Sequence, residues 1–169
     1  MGPVYAEINI DAPREQIFDY LLDINTRPEL FGDSIMNFRL LRLESTGVGA
    51  GARFQFKRKK QWVDSSITNV EAPFRISERG ATGLYNKTPI GTEWEIAEAG
   101  ANMSLVRLTI WTERHGLGKV FDRLTGGAGW YSRQLKHATR RLRDRIEAEN
   151  TSVDRVNVAG GNRFATGVL

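Results

Sequence analysis

Apolar residues recur along this chain in three successive rhythms. Val4, Ala6, Ile8 and Ile10 alternate with Tyr5, Glu7, Asn9 and Asp11, which predicts a half-buried strand. Asp11-Ala12-Pro13 then starts a helix, with Pro13 in the first turn, where its missing N–H costs nothing. Ile17, Phe18, Leu21 and Leu22 form the apolar face of that helix. Asn25-Thr26-Arg27-Pro28 breaks it, and Pro28 to Phe31 predicts a second short helix before Gly32-Asp33-Ser34.

From Ile35 the period changes to two and stays there for about eighty residues. The predicted strands are Met36 to Glu44, Arg53 to Lys59, Gln61 to Glu71, Phe74 to Gly80, Gly91 to Ala97 and Met103 to Glu113. Turns separate them at Gly47-Val48-Gly49-Ala50-Gly51, at Lys59-Lys60, at Ala72-Pro73 and at Ala99 to Asn102, and Ala81 to Pro89 reads as a loop. Connections this short predict an antiparallel sheet.

The third rhythm is helical. Leu117, Val120, Phe121, Leu124, Ala128, Tyr131, Leu135, Ala138, Leu142 and Ile146 are spaced by one, three or four. They predict one helix of roughly 45 Å. The stripe passes through Gly126, Gly127 and Gly129, each of which costs a helix about 1 kcal/mol relative to alanine. Those glycines are expected to permit close packing or a kink, or else to leave room for a ligand or form a hinge. After Glu149 the chain is rich in Asn, Gly, Ser and Thr, so residues 1–149 are expected to form the domain and 150–169 a flexible tail.

Composition narrows the picture. The 169 residues carry 40% hydrophobic and 26% charged side chains, which suits one globular domain. The absence of cysteine excludes disulfides, a thiolate zinc site and a thiol nucleophile, and agrees with a cytoplasmic location. The first ten residues lack the basic and apolar regions of a signal peptide, and no apolar run is long enough to span a membrane. The net charge of +4 arises largely from Arg133, Lys136, Arg140, Arg141, Arg143 and Arg145, which complement the negative end of the long helix. His115 and His137 have no partners at ligand spacing, so no metal and no cofactor is expected. Gly47-x-Gly49-x-Gly51 precedes a strand rather than a helix, and so reads as a turn rather than a phosphate loop.

Several stretches resemble the START-like (helix-grip, SRPBCC) superfamily, which includes polyketide cyclase/dehydrase-like and lipid-binding proteins. Ile8 to Phe18 looks like its strand-to-helix opening, Leu21-Leu22-Asp23 with Arg27-Pro28-Glu29 like its next segment, and Gly47 to Phe54 like its glycine turn. The resemblance covers about Val4 to Glu149. It implies an α+β helix-grip fold, with a curved antiparallel sheet of about seven strands around a long C-terminal helix and one or two short helices after the first strand. It also implies a cavity between sheet and helix. Departures are Leu30-Phe31, where many relatives have a tryptophan after the proline, and the glycine run.

The candidate cavity residues follow from the strand faces. Phe54 and Phe56 lead to Arg58, and Phe74 and Ile76 lead to Glu78. Trp62, Asp64, Ser66, Thr68 and Val70 share a face of the middle strand. Trp94 and Leu108 stand on later strands, and Phe121, Leu124 and Tyr131 on the first half of the long helix. Arg58, Asp64 and Glu78 can orient a ligand's polar end or act as acid and base. Alternatively they form a structural pair, or mark strand ends standing in water. The resemblance implies binding, and possibly transport, of a hydrophobic small molecule such as a lipid, isoprenoid or polyketide-like compound. The alternatives are a cyclase/dehydratase-like enzyme using the same cavity and an interaction module using the basic helix end. No nucleic-acid partner is expected, because no aromatic residues interleave with the arginines.

Overall fold

The computed structural model describes residues 2–58, 60–113 and 127–160. Strand β1 (Val4–Ile10) is followed by helix α1 (Arg14–Leu22), a 3-10 turn (Ile24–Thr26) and the short helix α2 (Arg27–Phe31). Six strands come next: β2 (Ile35–Leu40), β3 (Gly51–Phe56), β4 (Gln61–Glu71), β5 (Arg75–Thr82), β6 (Thr88–Gly100) and β7 (Met103–Thr112). Helix α3 (Gly127–Gly160) ends the described chain. Every strand pair is antiparallel, in the order β1-β7-β6-β5-β4-β3-β2. The curled sheet forms a half-barrel, and α3 lies against it.

Strand alternation sorts the side chains by face. Ile10, Phe54, Ile76, Trp94, Val106 and Leu108 turn inward and are buried. The convex face is charged, and Arg75 and Arg107 bridge Glu93, Glu95 and Glu7 there. At Gly80 a side chain is sterically excluded, because a Cβ there would collide with the Asp64 carbonyl. This close approach lets β4 and β5 bend together.

Helix α3 packs on β1, β7 and α2. Trp130, Tyr131, Leu135, Ala138, Leu142 and Ile146 form its buried stripe. Full burial of side chains such as Leu142 contributes about 1.5–3 kcal/mol each. Leu117 to Gly126 lies outside the described residues. Gly129 is exposed, and none of the described residues stands where its Cβ would be, so it does not pack closely against any of them. The helix also runs past the expected boundary at Glu149. Gln16 Nε2 donates to Asn150 Oδ1 at 2.7 Å, and Thr151 Oγ1 donates back to the Glu147 carbonyl. These tertiary and local bonds offset the weak helix propensity of Asn and Thr.

Candidate functional site

Arg27 opens α2 at the point where α1 has just ended, and the residue is 2% exposed. Asp23 organises the reversal: its carboxylate accepts from the Asn25 amide, and its carbonyl accepts from Thr26 Oγ1 at 2.8 Å. The reversal sends the guanidinium under α1, onto the concave face of the sheet. Nε and Nη2 donate to Glu78 Oε1 at 3.1 and 2.8 Å. Nη2 also donates to the Leu21 carbonyl at 2.8 Å, and Nη1 donates to Thr26 Oγ1 at 3.0 Å and the Asp23 carbonyl at 3.5 Å. All five N–H groups of the guanidinium are therefore engaged, and two of their acceptors are carbonyls at the end of α1 that the helix itself leaves unpaired.

Glu78 is equally well held. Trp94 Nε1 adds a third donor to Oε1 at 3.3 Å, and Ser65 Oγ donates to Oε2 at 2.8 Å. The Arg27 guanidinium also lies 5.4 Å from the centre of the Trp94 ring. Burying an ion pair is costly unless its remaining hydrogen-bonding capacity is met, and here it nearly is. Only Oε2 retains an open acceptor position.

This pair stands at one side of a cavity. Ile24, Phe31, Phe54, Phe56, Val63, Ile90, Trp94 and Ile110 supply apolar and aromatic wall, and Ser65, Glu78, Arg27 and Thr92 the polar part. The empty space among them is about 460 Å³ counted out to its open mouth, but only about 20 Å³ admits the centre of a water-sized sphere. That is room for about one water. A larger ligand enters only when the aromatic wall parts. Phe56 is the hub of that wall. Its ring meets Phe31, Phe54, Trp130 and Tyr131 edge-on, with centroids 5.1 to 6.0 Å away.

Of the residues named from sequence, Phe54, Phe56, Glu78 and Trp94 line the cavity. Ile76, Leu108 and Tyr131 are buried beside it in the core. Phe121 and Leu124 lie outside the described residues. Two expectations are corrected. Arg58 is exposed in the turn after β3, because that strand ends at Phe56. Asp64 is on the convex face, where Arg53 grips it through Nε and Nη2 and Asn86 Nδ2 donates to it at 2.6 Å. The inward residues of β4 are Val63, Ser65 and Ile67. A bulge between Ile67 and Asn69 then shifts the phase, so Val70 faces inward while Trp62, Asp64 and Ser66 face out. Phe74, 50% exposed, precedes β5 and packs under Arg14 instead.

Arg27, Ser65 and Thr92 were missed by the sequence reading. Val63 and Ile67 carried a usable signal for Ser65, being apolar residues flanking it at period two. Nothing local marks Arg27 as buried. Among the described residues no cluster of His, Asp or Glu has the makings of a metal site. The basic end of α3 is partly neutralised: Arg143 pairs with Asp144 and Glu147, and Arg145 with Glu29.

A half-barrel gripping a helix, with a small cavity between the concave face of the sheet and the segment Ile24–Phe31, defines a helix-grip protein of the START-like superfamily. Residues 1–147 match the family described as polyketide cyclase / dehydrase and lipid transport, and the chain belongs to that family. The KanY protein in solution is similar at 22% identity and TM-score 0.68, over 87% of this chain and 99% of that one. Norcoclaurine synthase of Thalictrum flavum, bound to a transition-state analogue, is similar at 11% identity and TM-score 0.68, over 88% and 96%. A START superfamily protein of Mycobacterium smegmatis is similar at 14% identity and TM-score 0.59, over 86% and 97%. At these identities the likeness concerns the fold. The comparison with curated proteins gives no match. No helix among the described residues is long and apolar enough to cross a membrane.

Proposed function

We propose that this protein binds a hydrophobic small molecule, of the lipid, isoprenoid or polyketide-like kind, in the cavity on the concave face of the sheet. The observation that carries this reading is the cavity's lining: an aromatic and aliphatic wall with a single polar corner at Ser65, Glu78 and Thr92. Such a division suits a ligand that is mostly apolar and is oriented by one polar group. The family's description, which includes lipid transport, points the same way. Native mass spectrometry of the purified protein tests it. A co-purified lipophilic mass that solvent extraction removes, and that a Phe56→Ala variant retains less well, is the expected result. A ligand-free protein that takes up no lipophilic compound from an added extract would refute it.

A second reading is a cyclase or dehydratase working in the same cavity. It is favoured by one observation, a carboxylate beside a hydroxyl within the apolar wall. The wall would fold a flexible chain, and Glu78 would assist proton transfer. Its oxygens already accept from four donors, so one acceptor position is left for a substrate proton. Turnover of a polyketide-like substrate that Glu78→Gln abolishes without loss of binding would favour this reading over simple binding.

A further inference from the structure

The polar corner of the cavity has a definite sense, and it constrains the ligand. The Arg27 guanidinium has no N–H to spare: its donors go to Glu78, Leu21, Thr26 and Asp23. The positive charge in the cavity is therefore unavailable to an anionic ligand. Glu78 Oε1 is full, and Oε2 takes one bond from Ser65. Oε2 has an acceptor position left, and Ser65 Oγ, having spent its proton, can only accept. Thr92 stands directly across from Glu78 on the neighbouring strand, where facing side chains approach within about 5.5 Å. Its hydroxyl has no partner among the described residues, and it lines the same cavity.

We infer that this corner recognises a neutral hydroxyl group, phenolic, enolic or alcoholic, on an otherwise apolar ligand. The inference rests on the cavity-binding reading and narrows it. A hydroxyl donates its single proton to Glu78 Oε2, or to Ser65 Oγ beside it, and accepts from the Thr92 hydroxyl, so one group serves both the donor and the acceptor side of the corner. A ligand carboxylate or phosphate would bring a second negative charge against Glu78 with no free cation to answer it. An ether or ketone accepts from Thr92 but leaves the Oε2 position dry and unpaired. Fatty acids and phospholipid head groups are thus excluded from this corner. The aromatic wall of Phe31, Phe54, Phe56 and Trp94 favours a flat ring system carrying the hydroxyl.

Titration calorimetry of the intact protein with matched naphthalene probes tests this. Expected is 2-naphthol binding about tenfold tighter than 2-methoxynaphthalene, the worth of one well-formed hydrogen bond to a charged acceptor. 2-Naphthoate should bind more weakly than either. Glu78→Gln turns the open acceptor into an amide that can present N–H, so the preference for naphthol over the methoxy probe should collapse to within about twofold. Because that variant leaves Arg27 buried without its counter-charge, Thr92→Val is measured beside it, with folding checked by circular dichroism. It should weaken naphthol several-fold and the methoxy probe too, since both accept from Thr92. Equal affinity of the wild type for naphthol and methoxynaphthalene would overturn the hydroxyl preference while leaving cavity binding intact. Tightest binding of naphthoate would overturn it outright. Failure of all three probes, with a protein that also takes up no lipophilic extract component, would overturn the cavity reading and this inference with it.

Discussion

Arg27 and Glu78, 51 residues apart in the chain, meet with Nη2 2.8 Å from Oε1, and both side chains are all but sealed from solvent. The contact joins the start of α2 to β5, the central strand of the sheet's order. It also fixes the polar corner of the cavity.

Removing one partner leaves the other charge buried and alone. Arg27→Ala is expected to cost about 3–5 kcal/mol, and the Arg27→Met, Glu78→Leu double variant to recover at least half of that. Urea denaturation of the two singles and the double checks it. Additive losses would mean that the pair is not coupled.

Phe56 touches four other aromatic rings and is 3% exposed. Phe56→Ala should therefore cost about 3–5 kcal/mol, at the upper end of core truncations. A loss below about 1 kcal/mol in the same denaturation assay would show that the wall around it collapses to fill the gap.

Asp64 pairs with Arg53 on the convex face, away from the cavity. Asp64→Ala is expected to cost about 1 kcal/mol or less, as partly exposed ion pairs do, and to leave probe affinity unchanged. Calorimetry alongside denaturation separates the two effects. A several-fold loss of affinity would place Asp64 in communication with the site.

Gly129 is exposed, with none of the described residues where its Cβ would be. Gly129→Ala should stabilise α3 by about 0.5 kcal/mol. A fall in thermal stability would mean that the helix start needs glycine's freedom.

Tyr20 donates to Glu29 Oε2 at 3.0 Å. Burial first, and then that bond and the charge of Glu29, push its pKa from 10.0 to about 12. The unfolded chain therefore loses this proton first as pH rises. The stability held below pH 10.0 is lost progressively as pH climbs through about 12. A Tyr20→Phe variant should lose less stability over that interval than the wild type. Identical pH slopes for the two proteins in urea titrations would exclude the effect.

Much of the architecture was legible because it rests on periodicity. Alternation in β1, β3 and β7 located those strands, and the 3.6 period from Tyr131 to Ile146 located the packed half of α3. Four cavity residues followed from strand faces. The middle strand misled because polar and apolar residues occur on both of its faces, and a bulge breaks its phase. Reading Trp62, Asp64 and Ser66 as inward put an outward carboxylate in the site and left Ser65 out. Arg58 misled because alternation continues one step past the point where the strand ends.

The sequence by itself determined the seven strands, the long helix and the side each clean strand turns to the core. Each of these depends on residues within one element, whose spacing follows from backbone geometry. Only the tertiary structure decided that Arg27 is a buried partner of Glu78, that Thr92 stands opposite that carboxylate with its hydroxyl unpartnered among the described residues, and that Asn150 is bound to the body of the domain. Those facts depend on strand register and on where a short helix directs one side chain. A burial cost of that size is met by groups from distant segments, and no local pattern records which ones they are.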